Sequence, residues 1–311
     1  MPRFLSLAAV ALTSLTTLAA AADFRLEPDT IGDGIHALIG PTTDRTYENL
    51  GLNANFGVIA TPEGTILIDS GASAAGAALL AEQAQALTGM PVRWVINTGA
   101  QDHRWLGNGH FLAQGIEVIA HGRSIATQEL EVQAQLERLR PILLERLDGT
   151  EPAHASRVLD GTDNALTLGG RKLVVKYLAD AHFPGDVVVW LPDDDVLFAG
   201  DHVYTDRLLS IRRFSNAADW LAAFAQIEAM APGIVVPGHG RVTDLAGARA
   251  TTGDYLAFIV EGVNRLADDM AGVEAALDEL GDAPAFSHLE NFEALHRQNI
   301  IQAYLRAESE L

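Results

Sequence analysis

FGVIATPEGTILIDSG, residues 56–71, places two short β-branched runs, FGVIA (56–60) and TILIDSG (65–71), on either side of a Pro-Glu-Gly turn. Apolar runs of that length bounded by turn residues predict a β-hairpin. Downstream, AAGAALLAEQAQALTG (74–89) reads as a helix stopped by glycine, and VRWVIN (92–97) and IEVIAH (116–121) read as strands. A helical stretch near 123–147 follows, which Pro141 is expected to kink or interrupt. The second half repeats the idea. LTLGGRKLVVKYL (166–178), VVVWLP (187–192) and VLFAGD (196–201) predict strands, then come a helix over 216–230 and the strand IVVPGHG (234–240). From Leu245 the pattern is helical, broken near 281–284, while the polar gap 149–163 reads as a loop between halves. Strands alternating with longer amphipathic segments indicate an α/β protein whose sheets are covered by helices.

Four loops follow predicted strands and gather polar residues there: NTGAQDHRWLGNGHF (97–111), DAHFPGD (180–186), FAGDH (198–202) and VPGHG (236–240). The chain has no cysteine, so any metal must be held by His, Asp, Glu or Gln. Imidazole and carboxylate without thiolate suit zinc or another first-row divalent ion.

In this order, ILIDSG, NTxxxDH, AHFPGD, LFAGD and VPGHG resemble the metallo-β-lactamase superfamily, from about Asn53 to His239. The resemblance implies a four-layer αββα sandwich followed by C-terminal helices, a zinc site at the sheet edge and hydrolysis of β-lactams, thioesters, lactones or phosphoesters. The tail HRQNIIQAYLRAESE (296–310) resembles a periplasmic branch associated with quinoprotein relay or sulfur oxidation. Carried over residue by residue, His182 corresponds to a first-site metal ligand, Asp201 to the bridging carboxylate and His239 to a second-site ligand. Asp69 corresponds to the aspartate that orients the ligand loop through hydrogen bonds. His202 follows Asp201 on an extended segment and points elsewhere, which suits a structural or surface role. Trp105 and Tyr204 suit either a pocket lining or the core.

Residues 99–104 depart from the family's HxHxDH pattern, and two registers are open. Without a gap, Asn97, Thr98, Leu106, Gly107 and Asn108 keep their places. Gly99 and Gln101 then replace two first-site histidines, His103 replaces the aspartate and Arg104 replaces a second-site histidine. Shifting by one residue keeps Asp102 and His103 as the family's Asp-His pair and leaves Thr98 and Ala100 at the histidine places. The ungapped register needs no compensating insertion. In either, His182 is the surviving first-site imidazole, and Gln101 offers a weaker oxygen ligand. His103, Asp201 and His239 would hold one zinc ion, with a second ion left open. Zinc-bound hydroxide would attack an acyl carbonyl of a small-molecule substrate, with Asp102 as general base. The alternative is a non-catalytic binding protein in which the Arg104 guanidinium stands where a metal sat, pairs with Asp201 and recognises anions beside Gln101.

Composition narrows the partners. Among 311 residues, 41 are acidic and 21 basic, a formal charge of −20 that repels phosphate backbones and excludes nucleic acid as a partner. Residues 1–22, MPRFLSLAAVALTSLTTLAAAA, carry one positive charge at Arg3, then an apolar run, then small residues at Ala20 and Ala22. That order predicts a secretory signal peptide cleaved before Asp23, and hence a periplasmic protein without a membrane span. The expected mature chain, 23–311, is a metallo-β-lactamase-like domain with a helical extension from about 245. The amphipathic last helices suit internal packing or a homo-oligomer face.

Overall fold

A computed structural model describes residues 24–310; the expected signal peptide lies outside the described residues. The hairpin at 56–71 forms as β3 (Phe56–Thr61) and β4 (Gly64–Ile68), closing at the Thr61 and Gly64 pair. Two strands not anticipated from the sequence, β1 (Glu27–Gly32) and β2 (Ile35–Ile39), extend the sheet on one side. On the other side lie β5 (Val92–Ile96), β6 (Glu117–His121) and β7 (Arg157–Leu159). All seven stand in chain order, antiparallel up to β4 and parallel from there. The change of sense follows from the connections, since parallel neighbours need a long crossover, here helical. These are α1 (Ala74–Thr88), then α2 (Asp102–Trp105) with α3 (Asn108–Leu112), then α4 (Gly122–Leu143). Strand β7 lies within the stretch read as a plain loop. Three residues on an exposed edge give too little periodicity to be seen.

The second sheet holds β8 (Asp163–Leu168), β9 (Arg171–Tyr177), β10 (Val187–Leu191), β11 (Val196–Tyr204) and β12 (Ile234–His239). Their spatial order is β12-β11-β10-β9-β8, with only β11 and β12 parallel. Alternate residues face the other sheet: Ile66, Ile68, Trp94, Ile96 and Ile119 meet Val187, Val189, Leu191, Val196 and Phe198 in one buried cluster. The intervening Leu67, Val95 and Val118 pack under α1 and α3. Leu197, Ala199 and Val235 pack under α5 (Ala217–Met230). Both faces of both sheets are therefore covered, and the layers run helix, sheet, sheet, helix.

Helix α4 passes through Pro141, ends two residues later at Leu143 and continues as a 3-10 turn over Leu144–Leu147. The remaining helices are α6 (Leu245–Ala248), α7 (Asp254–Asp268), α8 (Val273–Leu280) and α9 (Phe292–Ser309). The last three form a separate buried cluster with Trp220 of α5 and Tyr204 of β11. Parallel β4 and β5 end at the same edge as the parallel pair β11 and β12, and that edge carries the site.

Candidate metal centre

After β5 the chain turns into the single turn α2, in which Asp102, His103, Arg104 and Trp105 are all buried. Side chains hold this turn from several sides. Asn97 Nδ2 donates to Arg104 O (2.8 Å), and Asn97 and Asn108 exchange amide hydrogen bonds of 3.0 and 2.8 Å. From α4, Gln135 accepts from Trp105 Nε1 (3.0 Å) and donates to Ala100 O (2.8 Å). Trp105 is thus a core residue anchored by its indole N–H. Gln135→Ala strands that N–H and the Ala100 carbonyl, and urea unfolding should show a loss of about 2–4 kcal/mol. A loss below about 0.5 kcal/mol would mean that α4 does not hold the turn.

Arg104 is fully buried, and all five of its N–H donors are used. Nε and Nη2 grip Asp201 at 3.2 and 2.6 Å, Nη1 reaches Asp69 Oδ2 at 2.9 Å, and the other two bonds go to Asn55 O (3.1 Å) and Gly238 O (3.2 Å). Burial alone would weaken the guanidinium's charge, but Asp201 and Asp69 raise its pKa further still. Burial would likewise raise Asp201, yet the Arg104 charge first, and then His103 and His239, hold it well below the carboxylate range. The approach demands glycine at 238, where a Cβ would lie 2.6 Å from Arg104 Nη2 and 2.7 Å from Asp201 Oδ1. Asp69, at φ 68°, turns the end of β4 so that its carboxylate also accepts from Thr98 N (2.6 Å) and Thr98 Oγ1 (2.7 Å). These bonds tie Asp69 to the loop that follows β5.

Next to this ion pair, His103, Asp201 and His239 each offer a ligand atom within 4.8 Å of the others. His239 Nδ1 lies 2.8 Å from Asn53 O, so Nδ1 carries the proton and Nε2 keeps its lone pair, 3.4 Å from Asp201 Oδ1. His103 Nε2 is buried without a hydrogen-bond partner, 3.5 Å from Asp201 Oδ2. Its Nδ1 lies 2.6 Å from Arg45 Nη2 and 3.4 Å from Asp102 Oδ1. For Nε2 to serve as a ligand, Nδ1 must carry the proton and face Asp102 instead of accepting from Arg45. Two imidazole nitrogens and one carboxylate oxygen fit a single zinc or similar divalent ion.

Asp102 is not placed as a free base. It pairs with Arg45 and accepts from His103 N (2.7 Å). Burial would raise its pKa, but Arg45 above all keeps it well below the carboxylate range. A carboxylate so held orients His103 better than it takes up protons.

His182, expected among the ligands, lies outside the trio. The Gln101 amide, turned so that its nitrogen donates to His182 Nε2 (2.9 Å) and Asp201 Oδ2 (3.3 Å), also accepts from Arg45 Nη2 (3.1 Å). Gln101 thereby spans His182 and Asp201 by hydrogen bonds. Gly99 leaves no room for a larger side chain, since a Cβ there would lie 2.3 Å from Asp186 Oδ1. His202 is buried with neither ring nitrogen partnered and stands outside the trio.

Burial drives His182 down to about 3, His202 to about 4 and His239 well below its ordinary value. These rings are neutral in the folded protein at pH 7. Because their folded pKa values lie below the unfolded value near 6.5, their contribution is complete above about pH 6.5 and declines as pH falls toward 4. Asp186, raised by burial and by the Asp201 charge, and Asp69, raised by burial, oppose this, two groups against three. The urea midpoint should therefore fall between pH 7.5 and pH 5. An unchanged midpoint would contradict the neutral imidazoles.

A family model described as the metallo-beta-lactamase superfamily matches residues 50–239, more than half of the chain. The chain belongs to the metallo-beta-lactamase superfamily. A type 2 metallo-beta-lactamase of Bacteroides fragilis is 34% identical over 79 residues, which span 24% of this chain and 32% of that protein. The alignment thus spans about a third of the length of this curated relative. Among solved structures, a metallo-beta-lactamase from Pontibacter korlensis superposes with a TM-score of 0.59 at 22% identity, covering 75% of this chain and 99% of its own. The DIM-1 metallo-beta-lactamase gives 0.57 at 20% identity, over 75% of this chain and 97% of its own. The IND-7 enzyme gives 0.56 at 22%, over 76% of this chain and all of its own.

Within this superfamily chain, the site departs from expectation through residues that carry no local signal. Arg45 lies in a polar segment after β2, before the family match begins, and Asp186 closes the AHFPGD loop as an ordinary turn acid. Asn53, Arg207 and Arg212 are likewise unremarkable in sequence, yet all three line a cavity beside His239.

Proposed function

We propose that this chain is a mononuclear metal-dependent hydrolase of small acyl compounds, exported by a cleaved signal peptide at residues 1–22. The carrying observation is the convergence of His103, Asp201 and His239 with His103 Nε2 buried and unpartnered, beside an open cavity lined by His239. Zinc held there would supply Lewis acidity to polarise a carbonyl and acidify water. The chain's own residues do the rest. Arg104 fixes Asp201, Asn53 O sets the His239 tautomer, and Asp102 orients His103 once Arg45 yields its place on Nδ1. Export to the periplasm is supported by the order of residues in 1–22, and among the described residues no helix is long and apolar enough to cross a membrane.

Metal analysis after zinc reconstitution tests the reading: about one equivalent per chain is expected, with chelator-sensitive turnover on a panel of esters, thioesters and lactams. Less than roughly 0.1 equivalent would overturn it. A second reading, a metal-free binding protein, is favoured by one observation, the complete satisfaction of Arg104 as an internal cation on Asp201 and Asp69. It predicts no thermal stabilisation by zinc and no chelator-sensitive turnover.

A further inference from the structure

Three buried donors without hydrogen-bond partners, Arg45 Nε, His182 Nδ1 and Arg207 Nε, and one acceptor, Asn53 Oδ1, belong to residues that line one cavity of about 200 Å3 beside His239. Arg212 reaches the same cavity from its exposed mouth. Elsewhere Arg123, Arg171, Arg241 and Arg265 each hold a carboxylate. In a chain with 41 acids to 21 bases, two arginines without a carboxylate among the described residues, Arg207 and Arg212, gathered beside Arg45, whose Nη2 holds Asp102, run against the composition. Among the described residues, no carboxylate forms an ion pair with Arg207 or Arg212, although exposed Asp44 also lines the cavity. Burial, and then repulsion from Arg45, push the Arg207 guanidinium below its ordinary value, while Asp44 and Asp201 pull the other way. The cavity adjoins a chamber of about 430 Å3, with which it shares Arg45, Gln101, Ser210, Arg212 and Leu295.

We propose that Arg45, Arg207 and Arg212 form a seat for an oxyanion, a carboxylate or phosphate, carried by the small molecule that this site acts on. A guanidinium fork matches either group in two-point hydrogen bonds, which strengthen in a partly dry cleft. Asn291, Ala294 and Leu295, at the start of α9, close the seat on one side. That wall and Arg45 lie outside residues 50–239, whereas Arg207 and Arg212 lie within them, so the family-matched part supplies two of the three arginines and the flanking parts complete the seat. The inference names the substrate class of the proposed hydrolase and rests on that reading for its use; the binding itself stands apart from zinc.

The test titrates the purified chain, zinc-loaded and chelated in parallel, with inorganic phosphate and with acetate, against chloride at matched ionic strength, and follows thermal stability and heat of binding. Saturable binding of at least one oxyanion in both preparations is expected, weakened about tenfold or more by Arg207→Gln and by Arg212→Gln, and partly restored by Arg207→Lys. Arg212 is exposed, so its variant keeps the fold and secures the comparison. Preference for phosphate or for acetate identifies the head group, and either supports the seat. No binding beyond chloride, binding untouched by both substitutions, or binding lost on chelation would overturn it. Failure of zinc uptake with anion binding intact would instead remove the hydrolase reading alone.

Discussion

Replacing Arg104 by methionine should lower the free energy of unfolding by about 3–5 kcal/mol, the range for stranding buried charges by removing their partner. Asp201 and Asp69 are each almost wholly buried, and Arg104 is the cation in contact with both. Its loss also leaves Asn55 O and Gly238 O without these donors. Methionine fills much of the volume but offers no N–H. Against a typical total stability of about 5–15 kcal/mol, such a loss is severe, so urea unfolding at low temperature is the suitable measurement. Adding Asp201→Asn to Arg104→Met should recover part of it, because one of the stranded charges is then gone. Zinc at saturation should also stabilise the Arg104→Met protein more than the parent, since the ion then neutralises the Asp201 charge that Arg104 no longer pairs. A single-variant loss below about 1 kcal/mol would show that the buried ion network is not as described.

His239→Ala should weaken zinc binding at least about a hundredfold, beyond the range for losing a supporting hydrogen bond, because one of three ligands disappears. In the parent, zinc at about 100 times its Kd should raise the unfolding free energy by about 2.7 kcal/mol, and in His239→Ala the same zinc concentration should give about 0.4 kcal/mol or less. His182→Ala makes the contrast. His182 is spanned to Asp201 by the Gln101 amide and stands outside the trio, so its removal should leave zinc affinity nearly unchanged. Equal losses from His182→Ala and His239→Ala would place His182 back among the ligands.

The strands of the sandwich were readable because their signals are local. The Pro-Glu-Gly turn, the glycine after α1 and the apolar runs at 92–97 and 187–192 each act within a few residues. Strands β1 and β2 escaped because their burial pattern is mixed, with β1 largely exposed at the sheet edge. Asp69, His182, Asp201 and His239 could be named in advance from the resemblance of their motifs to the family; Asp69 follows β4, Asp201 lies within β11 and His239 ends β12. Within residues 99–104 the Arg104–Asp201 pair was legible as one of two alternatives, and the structure carries it, while the partners of Gln101 and Asp102 were not legible.

What the sequence determined by itself is the layered α/β frame, the absence of thiolate ligands and the positions at strand ends where a site would form. Tertiary structure decided that the alternative holds in which Arg104 turns inward onto Asp201, 97 residues away in the chain, and it alone supplied the pairing of Gln101 with His182 and of Arg45 with Asp102. In a one-turn helix packed at the junction of two sheets, adjacent side chains point in quite different directions. Which one meets the carboxylate depends on where β11, β12 and α4 lie, and on the burial that makes an unpaired charge too costly to leave.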